Sequence, residues 1–406
     1  MPTRLSQVEA EMIIQTLGDG VPATEYIMDY SSEADSQLIE TFKNHLNKVR
    51  RSVSVARFLK GNYGAGKSHF LSFVREIALR DNFVVSLFDL RAREGFDMIE
   101  RILGKIIKTM SINDFRKGDI EKTVLDYIMS RWAKRVNDTD DEICNMPLDS
   151  TNIDFLNAIR TYGKLMSNKF NKSSDGFNII EILNRWFQGD ALKSKERDKI
   201  NVRNNITVRN ARAVLNMLSL FFKSIGYSGW VILIDEQEII PTLMSRHKRN
   251  LSNENLKVII DTQPNTKYMY YLFATTPEFF TDVYNGINAY PALRQRVQDV
   301  LEVHPISFKE MVEAGKKIKE IYSLAFPDFD RGQLTEENIK YCSQLVEETY
   351  INIESKARVF IVSYIKLLNN IKENKHLIVK EEFEAIVGNV WDEIERKTKD
   401  AYSQLK

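Results

Sequence analysis

Phe58-Leu59-Lys60-Gly61-Asn62-Tyr63-Gly64-Ala65-Gly66-Lys67-Ser68 contains, from Gly61 to Ser68, a complete G-x-x-x-x-G-K-[ST] phosphate loop. Such a loop wraps main-chain N–H groups around the phosphates of a nucleoside triphosphate. Glycine permits the positive φ and the close approach to the anion that this needs. The pattern sets roles for its members. Gly61, Asn62, Tyr63, Gly64, Ala65 and Gly66 supply backbone, Lys67 reaches the outer phosphates, Ser68 offers a hydroxyl to Mg²⁺, and His69 follows in the first helical turn. Val53–Leu59 alternates apolar residues as a strand does, and Phe70–Leu79 places them at helical spacing. Strand, glycine loop and helix are the order the mechanism requires. A helix opening at that point also presents free N–H groups and the positive end of its dipole.

Further along, Gly229-Trp230-Val231-Ile232-Leu233-Ile234-Asp235-Glu236 is an apolar run ending in two carboxylates. Continuous apolar runs mark strands of a parallel sheet covered on both faces. Catalytic groups in such sheets lie at the carboxyl ends of strands. Asp235 is thus expected to hold Mg²⁺, directly or through water, and Glu236 to act as the general base on the attacking water. An ordinary strand end with a solvated acidic pair is the alternative. Lys267–Thr276 reads as a third strand, ending in Thr275 and Thr276 before Pro277. In ATPases of the AAA+ type, a polar residue at such a tip sits between the acidic strand and the phosphate-loop strand and orients water near the γ-phosphate. Thr275 or Thr276 fits that place, although a Thr-Pro turn would look the same.

The bulk composition narrows the class. The 406 residues are 43% hydrophobic and 28% charged, so two or three globular domains with a large core are expected. With 57 basic and 56 acidic residues the net charge is +1, so any nucleic-acid contact needs a local patch. The two cysteines, Cys144 and Cys342, and five scattered histidines show no disulfide framework or zinc spacing. No secretory leader or membrane-length apolar run is read in the sequence, so a cytoplasmic protein without membrane contact is the expectation.

The organisation expected is α/β. Residues 1–50 form a helical segment broken by a turn at Gly18-Asp19-Gly20-Val21-Pro22. Residues 51–305 form the core, with a second strand at Phe83–Leu90, another at Val300–Val303, and a helical insertion over about 95–226. The insertion far exceeds the roughly 30 residues of a simple βαβ unit. Within it, residues 171–176 and the segment from Gln188 read as loops. Residues 306–406 form a helical lid, broken at Ala325-Phe326-Pro327-Asp328-Phe329 and closed by a terminal helix.

Three groups of cations stand out. Arg294 and Arg296 follow the third core strand, where an arginine finger could stabilise phosphoryl charge in a neighbouring subunit, implying a homo-oligomer. Arg358, near the start of a helix in Ser355-Lys356-Ala357-Arg358-Val359-Phe360, resembles the sensor arginine of an AAA+ lid. Lys193, Lys195, Arg197, Lys199, Arg203, Arg209 and Arg212 make the end of the insertion basic, which suits DNA phosphates but also a plain solvated face.

Taken together, the chain resembles the ATP-binding proteins of bacterial BREX phage-defence systems, of the BrxD type, which are AAA+-like P-loop ATPases distantly similar to origin-recognition ATPases. The resemblance runs over most of the chain. It is carried by Leu17-Gly18-Asp19-Gly20-Val21-Pro22, the phosphate loop through Leu71, Asn184-Arg185-Trp186-Phe187-Gln188-Gly189, Ile225-Gly226-Tyr227-Ser228-Gly229-Trp230, Val231–Glu238 and Tyr290-Pro291-Ala292-Leu293-Arg294-Gln295-Arg296. It implies ATP and Mg²⁺ as cofactors, slow or partner-stimulated hydrolysis, and work in antiviral defence. The partners it implies are double-stranded DNA, bound directly or through others, and defence proteins such as a helicase. Three competitors remain on sequence grounds. They are a nucleotide switch with little hydrolysis, a DNA-binding initiator or helicase loader, and a small-molecule kinase. The Asp235-Glu236 pair favours hydrolysis over the last, and the lack of a legible β-hairpin wing weighs against the second.

Overall fold

The computed structural model describes residues 5–23, 26–31, 36–62, 64–91, 94–115, 123–135, 153–167, 174–243, 245–261, 266–282, 284, 286–297, 299–330, 332, 334–349, 355–374 and 380–404. Chain contacts divide the protein into two compact units. One holds residues Met1–Ile39, Gly61–Glu76 and Glu302–Lys406, the other Glu40–Lys60 and Ile77–Leu301.

The second unit is built on a sheet. Its strands are β1 (Val55–Lys60), β2 (Val84–Asp89), β3 (Met110–Ser111), β4 (Trp230–Asp235), β5 (Met269–Thr275) and β6 (Leu301–Glu302), in the order β3-β2-β4-β5-β1-β6. The pairs β2–β4, β4–β5 and β5–β1 are parallel, and β3 lies antiparallel on β2. All six residues of β4 and all seven of β5 are buried, as their unbroken apolar sequences require of strands covered on both faces. Register sets Lys60 opposite Thr275, and Asp89 opposite Asp235. The carboxyl ends of β1, β5, β4 and β2 therefore form one edge. With β5 between the acidic strand and the strand that feeds the phosphate loop, this is a mostly parallel α/β core.

Helices cover the sheet and fill the insertion. Ile99–Lys108 turns Ile102, Leu103, Ile106 and Ile107 inward. Trp132, Tyr162, Trp186 and Phe187 join the same buried cluster, which is continuous with Phe58, Ile232, Ile234 and Phe273 of the sheet. Burying each such side chain is worth about 1.5–3 kcal/mol, so the insertion is cored into this unit rather than appended to it. Asp126 is buried and accepts hydrogen bonds from the Tyr162 hydroxyl and the Asn184 amide. That is how a carboxylate is tolerated in such a core.

The first unit is helical around the phosphate-loop segment. Gln7–Gly18 starts from a capping box, in which Ser6 accepts from the Glu9 N–H while the Glu9 carboxylate takes the Ser6 N–H. Phe308–Ala325 repeats the device with Ser307 and Glu310. These two helices pack on one another, and both pack on Lys356–Asn374, which in turn packs on Lys380–Gln404. The helix ending at Ala325 meets the break expected there.

Some expectations differ from the structure. Loop was expected over 171–176, but Ser174–Phe187 is already helical at Ser174; residues 171–173 and Cys144 lie outside the described residues. The two-residue strand β3 was not foreseen, since it is too short to show a period. Among the described residues no helix is long and apolar enough to cross a membrane.

Candidate nucleotide site

In the first unit the phosphate loop has the conformation its glycines allow. Gly64 and Gly66 lie at φ +87° and +101°, where a side chain would be strained. A Cβ on Gly64 would also come within 3.1–3.2 Å of the Ser355 backbone, so this glycine is fixed by space as well as by dihedral. Ala65 N–H donates to the Asn62 carbonyl, and Phe70 N–H to that of Gly66, which opens the helix Lys67–Arg80. Lys67 is buried, and its Nζ donates to the carbonyls of Gly61 and Asn62 at 2.9 and 3.2 Å. Its ammonium is thus curled over the loop whose N–H groups would receive phosphate. Ser68 is exposed. Tyr63 lies outside the described residues.

The His69 ring is turned away from the loop. Its Nε2 lies 2.9 Å from Ser31 Oγ and its edge meets Tyr30. Burial pushes its pKa down to about 4, so the ring is neutral at pH 7. What His69 offers an anion is therefore its main chain rather than a charge. Arg358 lies on the first turn of Lys356–Asn374, exposed, with its guanidinium against Gly20. A Cβ there would be 2.7 Å from Arg358 Nε. Gly20 follows the helix Gln7–Gly18 at φ +73°. The turn expected at 18–22 is therefore the surface on which this arginine rests, a link the sequence could not show.

In the second unit Asp235 closes β4, and Thr275 closes the adjacent β5. Asp235 is 8% exposed, and its Oδ1 accepts the N–H of Glu236 at 2.9 Å. Glu236 lies at φ +60°, a region a glutamate seldom adopts. Gln237 N–H then donates to the Ala274 carbonyl, tying the turn after β4 to β5. The Gln237 side chain is fully buried, and neither atom of its amide has a hydrogen-bond partner among the described residues. The Thr275 hydroxyl is in the same state. Buried polar groups without partners are costly and collect where a ligand or water completes them. Gln237 carried no signal in the sequence beyond its place after the acidic pair.

The two finger candidates part company. Arg296 is engaged, its Nε with the Asp261 carboxylate and its Nη1 with the Ala292 carbonyl. Arg294 ends the short helix Pro291–Arg294, is exposed, and makes no side-chain hydrogen bond or ion pair among the described residues. In the basic stretch of the insertion, Arg197 is likewise occupied by the carbonyls of Leu192 and Arg203.

A hydroxyl such as that of Ser68 and a carboxylate such as that of Asp235 are each hard oxygen donors, the kind Mg²⁺ takes singly or in pairs beside waters and phosphate oxygens. No group of three His, Cys, Asp or Glu side chains among the described residues is arranged to hold a metal on its own.

Comparison with known proteins gives a family and distant structural neighbours. The sequence model of the family described as "BREX system ATP-binding protein BrxC/D" matches residues 5–386. No curated protein sequence matches the chain. Among solved structures, the Aeropyrum pernix ORC2 protein, described with its ADPNP-ADP complexes, aligns with a TM-score of 0.47 at 11% identity, covering 89% of this chain and 69% of that one.

Proposed function

The chain belongs to the BREX system ATP-binding protein BrxC/D family, and from that premise we propose that it binds ATP with Mg²⁺ and hydrolyses it slowly, coupling nucleotide state to assembly in anti-phage defence. The observation that carries this is the phosphate loop, with two glycines at positive φ directly ahead of a helix N-terminus. Main-chain N–H groups of residues 61–69 receive the phosphates, and Lys67 leaves its two carbonyl partners to meet the outer ones. Ser68 and Asp235 are each the residue that would hold the metal, which when bound would supply charge neutralisation at the phosphate oxygens. Glu236 takes the proton from the attacking water, and the Thr275 hydroxyl orients that water. Arg358 acts on the nucleotide of its own chain, and Arg294 is the better finger candidate because it is not already engaged. The coupling runs to double-stranded DNA or to other defence proteins such as a helicase.

Lys67→Ala tests the reading. Titration calorimetry with Mg·ATP is expected to show affinity lost by at least about tenfold, since a charge-assisted contact is worth ~1.5–3 kcal/mol, with an unchanged circular dichroism spectrum. Unchanged affinity would remove the assignment. A switch with little turnover is the second reading. The fully buried, unpartnered Gln237 and Thr275 favour hydrolysis over it, because a switch has no use for groups held ready beside the acidic pair.

A further inference from the structure

A cavity of about 670 Å³ opens in the second unit between the helix Arg246–Asp261 and a wall made by Tyr284 and residues 289–293. None of its lining residues is among those assigned above to ATP or Mg²⁺. The first turn of that helix reads Arg246-His247-Lys248-Arg249 and contains no acidic residue. Cations stacked at the positive end of a helix dipole repel it and one another. Arg246 and Arg249 face the cavity. Arg246 has no partner among the described residues, while Arg249 spends one nitrogen on the Leu243 carbonyl. Lys257 lines the cavity too, but its charge is met by Glu254 at 2.6 Å. The uncompensated charge is therefore that of the two arginines.

Two further features restrict the anion. Asn253, also in the lining, is 3% exposed, and its Oδ1 has no hydrogen-bond partner among the described residues. A buried carbonyl oxygen left in that state awaits an N–H donor. Tyr284 is 84% exposed at the mouth, an unusual place for so large a ring. In the same wall, Tyr290 is fixed by its hydroxyl donating to Asn250 Oδ1 at 2.7 Å across to the helix. Negative charge for two arginines, an N–H edge for Asn253 and a flat ring for Tyr284 describe one ligand chemistry. The volume lies in the ordinary range for small-ligand sites.

We propose that this cavity binds a nucleotide unit, its phosphate on Arg246 and Arg249, its base on Tyr284 and its base N–H on Asn253 Oδ1. The unit belongs either to a single strand of nucleic acid or to a free mononucleotide. The inference goes beyond the ATPase reading and stands or falls without it.

Fluorescence anisotropy with a labelled 20-nucleotide oligo-dT, without ATP, tests it in the full chain. Arg246→Ala with Arg249→Ala is expected to weaken binding at least about tenfold and to flatten the salt dependence by roughly 0.7 in log–log slope, the value for the one phosphate contact the two arginines share on a single strand. Tyr284→Ala, at an exposed position that leaves the core intact, is expected to cost about fivefold or more. Competing dTMP distinguishes the sources. If dTMP does not displace the oligonucleotide, the strand is the ligand. If dTMP binds at similar concentration and the same variants weaken it, the free nucleotide is. Lys67→Ala is expected to keep oligonucleotide binding while losing ATP, so failure of one reading is visible apart from the other. No binding by the wild-type chain, binding indifferent to both variants, or a duplex bound as tightly with no dependence on Tyr284 would overturn the proposal.

Discussion

Glu236 concentrates the account in one residue. Its φ of +60° costs roughly 1–3 kcal/mol for a residue with a Cβ, and the bond from its N–H to Asp235 Oδ1 helps to hold it there. Strain of that kind persists where the surroundings over-determine it, and such places cluster at reactive centres. The histidines make a second prediction at this scale. Burial lowers His69 to about 4. Burial lowers His45 to about 4 as well, helped by the charges of Arg57 and Lys48 and opposed by Asp299. An unfolded histidine titrates near 6.5. Between about pH 6.5 and 4 the unfolded chain therefore holds protons that the folded chain refuses, and stability rises with pH across that window. Above 6.5 the contribution is complete and flat. Heat denaturation is expected to give a lower midpoint at pH 5 than at pH 7, with each histidine contributing at most about 3 kcal/mol. His69→Asn is expected to shrink the difference. A midpoint that ignores pH over this range would contradict the burial described.

At the scale of elements, the sheet is fastened by a small polar chain inside its core. Trp230 Nε1 on β4 donates to Ser86 Oγ on β2, which donates to the Ile106 carbonyl of the helix Ile99–Lys108. All three residues are buried. Ser86→Ala would strand the indole N–H, at about 1–3 kcal/mol. A fall in the denaturation midpoint is expected, and an unchanged one would show that the chain carries no weight. Elements of this kind explain what the sequence could disclose. β4 and β5 were legible because burial on both faces leaves an unbroken apolar run, and the loop from Gly61 because its chemistry sits in eight consecutive residues. Strand ends were legible to within a residue or two. The rest depends on distant parts of the chain. That Arg358 rests on Gly20, or that Ser174 is already helical, follows from packing rather than local pattern. That Gln237 and Asn253 are buried without partners is a property of neighbours, which no single sequence lists. The roles of the residues at the strand ends were likewise read from order and spacing.

At the scale of the molecule, a net charge of +1 means that attraction to nucleic acid has to be local. Basic residues cluster in the first turn of Arg246–Asp261 and along the stretch at 193–212. Family membership over residues 5–386 places nearly the whole chain within one ATP-binding architecture. We propose beyond this that the chain turns ATP over, with Glu236 as the base. The direct measurement is to incubate wild-type and Glu236→Gln protein with Mg·ATP labelled on the γ-phosphate, quench, and separate ATP from released phosphate. The account predicts slow phosphate release by the wild-type chain, and bound but intact ATP on Glu236→Gln. Release by Glu236→Gln at the wild-type rate, or none by wild type with DNA and partners present, would contradict it.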